Sequence, residues 1–77
     1  MSNLFSKVIQ GRQFNFQPIE FGSETGYHVD VKDEEGTRWE FSILHAGEKG
    51  LRYEAQKLPR WIDLCKRELE NAIAEHE

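Results

Sequence analysis

Two adjacent segments that alternate apolar and polar residues constrain the fold of this chain more than any other feature. The first covers residues 27–32 and the second covers residues 37–43. Alternation with a period of two is typical of strands that bury one face and expose the other to water. Residues 33–36 lie between the two segments and end in a glycine, so the pattern predicts a β-hairpin.

The phase of the apolar residues determines the register of this hairpin. Val31 must lie opposite Trp39, and Val29 opposite Phe41, if both apolar sets are to share one face. This register leaves a three-residue loop that ends in Gly36. We therefore predict a type I turn followed by a glycine at positive φ.

Flanking segments extend the sheet on both sides of the hairpin. Residues 13–21 and 50–55 also alternate, and each predicts a further strand. In the earlier strand we expect a bulge at residues 17–18, which would bring Ile19 to the face that carries Phe16. The glycine-flanked residues 22–26 would form the turn into the hairpin.

The apolar period changes to 3.6 from Pro59 onward, which predicts a C-terminal amphipathic helix. These elements together predict an α+β domain of two layers, a four-stranded antiparallel meander sheet packed on one C-terminal amphipathic helix (ββββα). We assign residues 12–77 to this single domain and residues 1–11 to an N-terminal segment that is either a helix or an extra strand. The predicted core consists of Phe14, Phe16, Tyr27, Val29, Val31, Trp39, Phe41, Ile43, Leu51 and Tyr53 of the sheet, packed against Leu58, Trp61, Ile62, Cys65, Leu69 and Ile73 of the helix.

Composition and charge narrow the classes of function. Cys65 is the only cysteine, and the sequence shows neither a signal peptide nor an apolar run that could span a membrane, so we expect a cytoplasmic protein. The formal net charge of −4 disfavours a general polyanion binder, whose surface is normally basic. We expect no cofactor.

The side chains that commonly carry catalysis or bind metals are scattered. Ser42 is expected across from His28 on the outward sheet face, without a third orienting group or oxyanion donors. His28, Asp30 and Glu40 share this face, but their spacing does not match a zinc ligand set. We interpret these residues as solvated surface groups, and we expect neither an enzyme nor a metal site.

The outward face of the hairpin carries like charges directly opposite each other. In the predicted register Lys32 faces Arg38 and Asp30 faces Glu40, which by itself is mildly destabilising. One interpretation is a diagonal ion-pair lattice, in which Lys32 pairs with Glu40, Asp30 with Arg38, and Arg52 with Glu40. The other is a cationic site for the phosphates of a nucleic acid, formed by Lys32, Arg38, Lys49, Arg52 and Arg12.

A family resemblance favours the second interpretation. The residues that carry it are Val29-Asp30-Val31-Lys32-Asp33, Trp39-Glu40-Phe41-Ser42-Ile43, Gly47-Glu48-Lys49-Gly50-Leu51, and Trp61, Leu64 and Ile73 of the helix. Over residues 26–75 this pattern resembles the single-stranded-DNA-binding domain of the transcriptional coactivator positive cofactor four. The resemblance implies four strands and a helix, dimerisation through the helix, and single-strand binding across the sheet. It also implies phosphate contacts from Lys32, Arg38 and Lys49.

Two hypotheses for function follow. The first is a small dimeric domain that binds single-stranded DNA or RNA across its sheet face. The alternative is a protein–protein interaction module, an inhibitor or immunity-type partner whose acidic surface meets a basic target. A homodimer is further suggested by the apolar residues without a predicted place in the core, which are Leu4, Phe5, Val8, Ile9 and Leu64.

Overall fold

One antiparallel sheet with its strands in chain order is the largest element of the structure. The computed structural model describes residues 4–47, 50–55 and 57–76 of the chain. Its strands are β1 Phe5–Ile9, β2 Arg12–Phe21, β3 Glu24–Lys32, β4 Arg38–His45 and β5 Leu51–Glu54. They are followed by the helices α1 Arg60–Asp63 and α2 Lys66–His76. The α+β class and the antiparallel meander are confirmed.

The sheet has five strands, so the predicted count of four is wrong. The additional strand is β1, which pairs with β2 from Phe5 opposite Phe16 to Ile9 opposite Arg12. The rings of Phe5 and Phe16 stack with their centroids 4.4 Å apart, and Ile9 is buried. Lys7 lies between Phe5 and Ile9 on the same face, and this charge hides the apolar alternation of β1 in the sequence.

The hairpin of β3 and β4 has the predicted register. Val31 pairs with Trp39 and Val29 pairs with Phe41. Gly36 has a φ of 85°, as the predicted turn requires. The phase of two clean alternations was therefore sufficient to set the pairing.

The carboxylate of Asp33 holds the turn of this hairpin together. Its Oδ1 accepts hydrogen bonds from the backbone N–H groups of Glu35 and Thr37, both at 2.9 Å. The indole Nε1 of Trp39 donates to Oδ2 at 3.1 Å. The hydrogen bond from Trp39, followed by those from Thr37 and Glu35, holds the pKa of Asp33 below its ordinary value.

The predicted bulge at residues 17–18 of β2 is wrong. The pairing of β2 with β3 runs without interruption, so Pro18 lies opposite Tyr27 on the helix side and Ile19 lies opposite Gly26 on the other side. The described pairing of β2 with β1 ends at Phe16. Pro18 therefore lies where the strand tolerates the missing N–H. The turn into β3 covers residues 22–23, which is shorter than predicted, because β3 begins at Glu24.

The C-terminal helix is interrupted where the sequence predicted a single element. Pro59 caps the N-terminus of α1, and the chain turns at residues 64–65 before α2 begins. The backbone N–H of Cys65 donates to the carbonyl oxygen of Ile62 at 2.9 Å, an i→i+3 bond that tightens the chain at this point. Leu64 is 66% exposed at the interruption.

The core lies between the sheet and the helices, and every residue predicted for it lies there, buried or partly buried. The side chains that the prediction missed are Phe5, Ile9 and Ala72. Burial raises the pKa of the Cys65 thiol, which lies in this core. None of the described helices is long and apolar enough to cross a membrane.

Candidate interaction surface

The side of the sheet that faces away from the helices is called the open face. In β3–β5 it is formed by Glu24, Gly26, His28, Asp30, Lys32, Arg38, Glu40, Ser42, Leu44, Arg52 and Glu54. The alternation of the strands places these side chains opposite the core, because successive residues of a strand point to opposite faces. This face holds most of the residues that the sequence assigned to binding.

Arg38 joins the two carboxylates that face each other on β3 and β4. The register sets Lys32 opposite Arg38 and Asp30 opposite Glu40, as predicted. The guanidinium of Arg38 lies 3.5 Å from Asp30 Oδ2 and 3.5 Å from Glu40 Oε1. Nε2 of His28 lies 2.9 Å from the same Glu40 oxygen. The hydrogen bond with His28, and then the charge of Arg38, lower the pKa of Glu40.

Arg52 occupies a second arrangement of the same kind. Its Nη2 lies 2.7 Å from Oε1 of Glu24 and 3.1 Å from Oε1 of Glu54. Of the predicted diagonal pairs, the one between Asp30 and Arg38 is present, whereas Arg52 pairs with these two glutamates and not with Glu40. Each arginine of the open face thus lies between two carboxylates.

The residues predicted to contact phosphate are not all on this face. Lys32, Arg38 and Arg52 are. Arg12 lies on the helix side, because it shares the phase of Phe14 in β2, so the structure does not bring it together with the other three on the open face. Its guanidinium lies 4.4 Å from the ring centroid of Trp61, and Nη2 lies 3.0 Å from Oε1 of Glu34. Lys49 lies outside the described residues.

The open face also carries an apolar feature that the sequence analysis missed. Leu44 is only 2% exposed although it faces away from the core. Gly26 lies directly opposite it, and Ile19 lies on the other side of Gly26. A Cβ atom at position 26 would collide with the carbonyl oxygen of Ile43 and lie 2.9 Å from Leu44 Cδ2. The sequence signal for this feature is the pair of adjacent apolar residues 43 and 44. In a strand two adjacent residues face opposite sides, so one of the two must lie on the open face.

Two adjacent depressions lie over this part of the sheet. One, of about 400 Å³, is lined by Ile19, Ser42, Leu44 and Glu54. The other, of about 510 Å³, is lined by His28, Glu40, Phe41, Ser42, Glu54 and Ala55. Because Ser42 and Glu54 belong to both, the two depressions adjoin, and the surface has an apolar half and an acidic half.

The catalytic potential of these groups is limited by their contacts. Ser42 lies opposite His28 in the register, as predicted, but Nε2 of His28 is engaged by Glu40 at 2.9 Å. Within the described ranges, no three His, Cys, Asp or Glu side chains are arranged to hold a metal ion. Charged side chains at these distances form surface ion pairs.

Comparisons of the chain with protein-family models, with curated proteins and with solved structures found no match.

Proposed function

We propose that this chain is a non-enzymatic binding domain that holds a protein partner on its open face. The observation that carries the proposal is the apolar depression at Ile19 and Leu44, flanked by the ion pairs of Arg52 with Glu24 and Glu54. An apolar centre inside a polar, charged rim is the usual anatomy of a protein–protein interface. A phosphate backbone would make no use of such a centre.

The charges of the open face also favour a protein over a nucleic acid. In β3–β5 the carboxylates outnumber the cations, with Glu24, Asp30, Glu40 and Glu54 against Lys32, Arg38 and Arg52. A phosphate would have to displace carboxylates that already contact both arginines. Nucleic-acid affinity depends on unneutralised Lys and Arg side chains.

The positions of the aromatic side chains also favour a protein partner over a nucleic acid. Single-strand binding across a sheet relies on aromatic rings on which the bases stack. Tyr27, Trp39, Phe41 and Tyr53 all lie on the helix side of the sheet, in the core or at its edge. The single-strand binding implied by the resemblance to the positive cofactor four family is therefore the less favoured candidate.

A binding role is preferred to an enzymatic one because the depressions are open to solvent. Catalysis of acyl or phosphoryl transfer needs preorganised donors in a site that excludes water. The backbone amides of β3 and β4 are engaged in the sheet ladder, and the imidazole of His28 is paired with Glu40. These amides and this imidazole therefore stabilise the surface and are not available as catalytic donors.

Photo-crosslinking from each side of the molecule would test the proposal. A benzophenone amino acid would be placed at Gln17, which is exposed and lies opposite His28 on the open face, and in a second protein at Arg67, which is exposed on α2. Both proteins would be irradiated in an extract of cells that produce the chain. Each adduct would then be digested separately with a protease and with a nuclease.

The proposal predicts a nuclease-resistant protein adduct from position 17 and none from position 67. Adding Ile19→Asp, which puts a charge into the apolar depression, should remove that adduct. A nuclease-sensitive adduct would support the nucleic-acid alternative and overturn the proposal. Equal adducts from both positions, or none from position 17, would also overturn it.

A further inference from the structure

We infer that the two adjoining depressions recognise a short extended segment in which an aliphatic side chain lies near a lysine or arginine. The aliphatic group would occupy the depression at Ile19 and Leu44, and the cation would lie between Glu40 and Glu54. The inference rests on the proposed protein-binding function and specifies the chemistry of the partner.

The apolar half of the surface is preformed. Gly26 has no side chain, so Leu44 lies over its backbone, and Leu44 and Ile19 line one depression. The strands beneath are paired on both sides at this point, since Ile19 pairs with Gly26 and Leu44 with Arg52. A rigid apolar pocket of this kind suits an aliphatic anchor, which loses little entropy on binding.

The acidic half has acceptor capacity that the described residues do not use. Among the described residues, the ion pairs and hydrogen bonds of Glu40 and Glu54 all involve Oε1. The side chains of Glu40 and Glu54 are 48% and 56% exposed, so the Oε2 atoms can accept hydrogen bonds from a ligand. Both carboxylates line the depression that also contains His28. Hydrogen bonds between a carboxylate and an ammonium or guanidinium group are among the strong ones.

Charge complementarity selects a basic partner over an acidic one. The arginines that neutralise part of this surface lie at its margins, where Arg38 lies between Asp30 and Glu40 and Arg52 lies between Glu24 and Glu54. The whole chain has a net charge of −4, which would steer a basic segment towards it. An acidic segment would meet two carboxylates in the same depression.

The geometry of β4 sets the spacing of the two groups. Glu40, Ser42 and Leu44 follow one another on the open face, and Glu54 lies opposite Ser42. Alternate residues of a strand are about 7 Å apart. The cation and the aliphatic anchor would therefore be about 7–13 Å apart, which corresponds to two to four residues of an extended segment.

Selection from a random-peptide display library on the immobilised full chain would test this inference. Enriched peptides should carry an aliphatic residue and a Lys or Arg two to four positions apart. A selected peptide, synthesised with a fluorophore, would be titrated with the parent and with variants whose urea midpoints match it. Glu40→Gln/Glu54→Gln and Ile19→Ser should each weaken binding by about tenfold or more, because a charge-assisted contact or the apolar anchor is lost. Glu75→Gln, which removes an exposed carboxylate of α2, should not.

The outcomes separate the inference from the proposed function. Peptides that lose binding with Ile19→Ser but lack basic residues, and are indifferent to Glu40→Gln/Glu54→Gln, would overturn the inference and leave protein binding at the open face in place. Peptides indifferent to all of these substitutions, or a library without enrichment, would overturn both.

Discussion

Nη2 of Arg52 on β5 lies 2.7 Å from Oε1 of Glu24 on β3, so that one ion pair crosses the width of β4. Arg52 lies opposite Leu44 in the pairing of β4 with β5. The ion pair therefore runs across the open face beside Leu44. Leu44 is 2% exposed although no described helix covers this side of the sheet. The ion pair also makes Arg52 part of the structure of the face.

The close approach of β3 and β4 at Gly26 predicts a specific cost for Gly26→Ala. The added Cβ would collide with the carbonyl oxygen of Ile43 and crowd Leu44, so the strands would have to move apart. We expect a loss of about 1–3 kcal/mol in the free energy of unfolding, measured by urea titration. Thr25→Ala, at the exposed neighbouring position, should stay within about 0.5 kcal/mol of the parent. Equal midpoints for the two variants would contradict the packing of Leu44 over Gly26.

The packing of the helices on the sheet predicts that two leucines contribute very different amounts to the free energy of unfolding. Leu69 on α2 is fully buried, and Leu64 is 66% exposed between the helices. Leu69→Ala should reduce the free energy of unfolding by about 2–5 kcal/mol, a large part of the total for a domain of this size. Leu64→Ala should have little effect. Urea denaturation followed by tryptophan fluorescence would compare them, and similar losses would contradict the helix packing.

The turn at Asp33 predicts that part of the free energy of unfolding depends on pH in the acidic range. Its hydrogen bonds from Trp39, Thr37 and Glu35 hold the pKa of Asp33 below the ordinary value of 3.8. Because the folded pKa is the lower one, the carboxylate stabilises the fold above the ordinary pKa, and this contribution is lost as the pH falls through the folded value. Asp33→Asn should therefore be less stable at neutral pH and lose less stability below about pH 5. Parallel curves of urea midpoint against pH would contradict this role.

Self-association remains a prediction, and fewer exposed apolar residues support it than the sequence indicated. Phe5 and Ile9 pack into or against the core, whereas Leu4, Val8 and Leu64 are 65%, 65% and 66% exposed. If Leu64 contributes to a dimer, Leu64→Glu should shift sedimentation towards a monomer of 9.1 kDa at high micromolar concentration. A parent protein that already sediments as a strict monomer would contradict the dimer.

The parts of the fold that could be predicted are those in which neighbouring signals agree. The apolar phases of β3 and β4 and the glycine at position 36 all require the same register. In β1, Lys7 interrupts the apolar face, and the turn that follows begins with Gln10 at a φ of 51°, a conformation that few non-glycine residues adopt. The sequence therefore leaves a helix and an extra strand as alternatives for residues 1–11.

The charged residues of the candidate site were easier to find than their partners. The register alone sets Lys32 opposite Arg38, and the structure agrees. The contact between Arg52 and Glu24 joins strands that are not neighbours, so no pairwise reading of the sequence indicates it. The apolar depression depends on Ile19, which the predicted bulge at residues 17–18 assigns to the wrong face of the sheet.

Carboxylates engage both arginines of the open face, and we expect these ion pairs to keep the arginines from holding phosphate. Replacing Glu24, Glu40 and Glu54 by Gln and Asp30 by Asn would free these arginines. A control with the same formal charge would replace exposed or partly exposed helical acids instead, with Asp63→Asn, Glu68→Gln, Glu70→Gln and Glu75→Gln.

Fluorescence anisotropy of a labelled single-stranded oligonucleotide at low salt would test this claim. We predict no saturable binding by the parent or by the helical control, and salt-sensitive binding by the protein whose open-face acids are removed. Saturable, salt-sensitive binding by the parent that Lys32→Glu/Arg38→Glu abolishes would contradict the claim and identify the open face as a nucleic-acid surface.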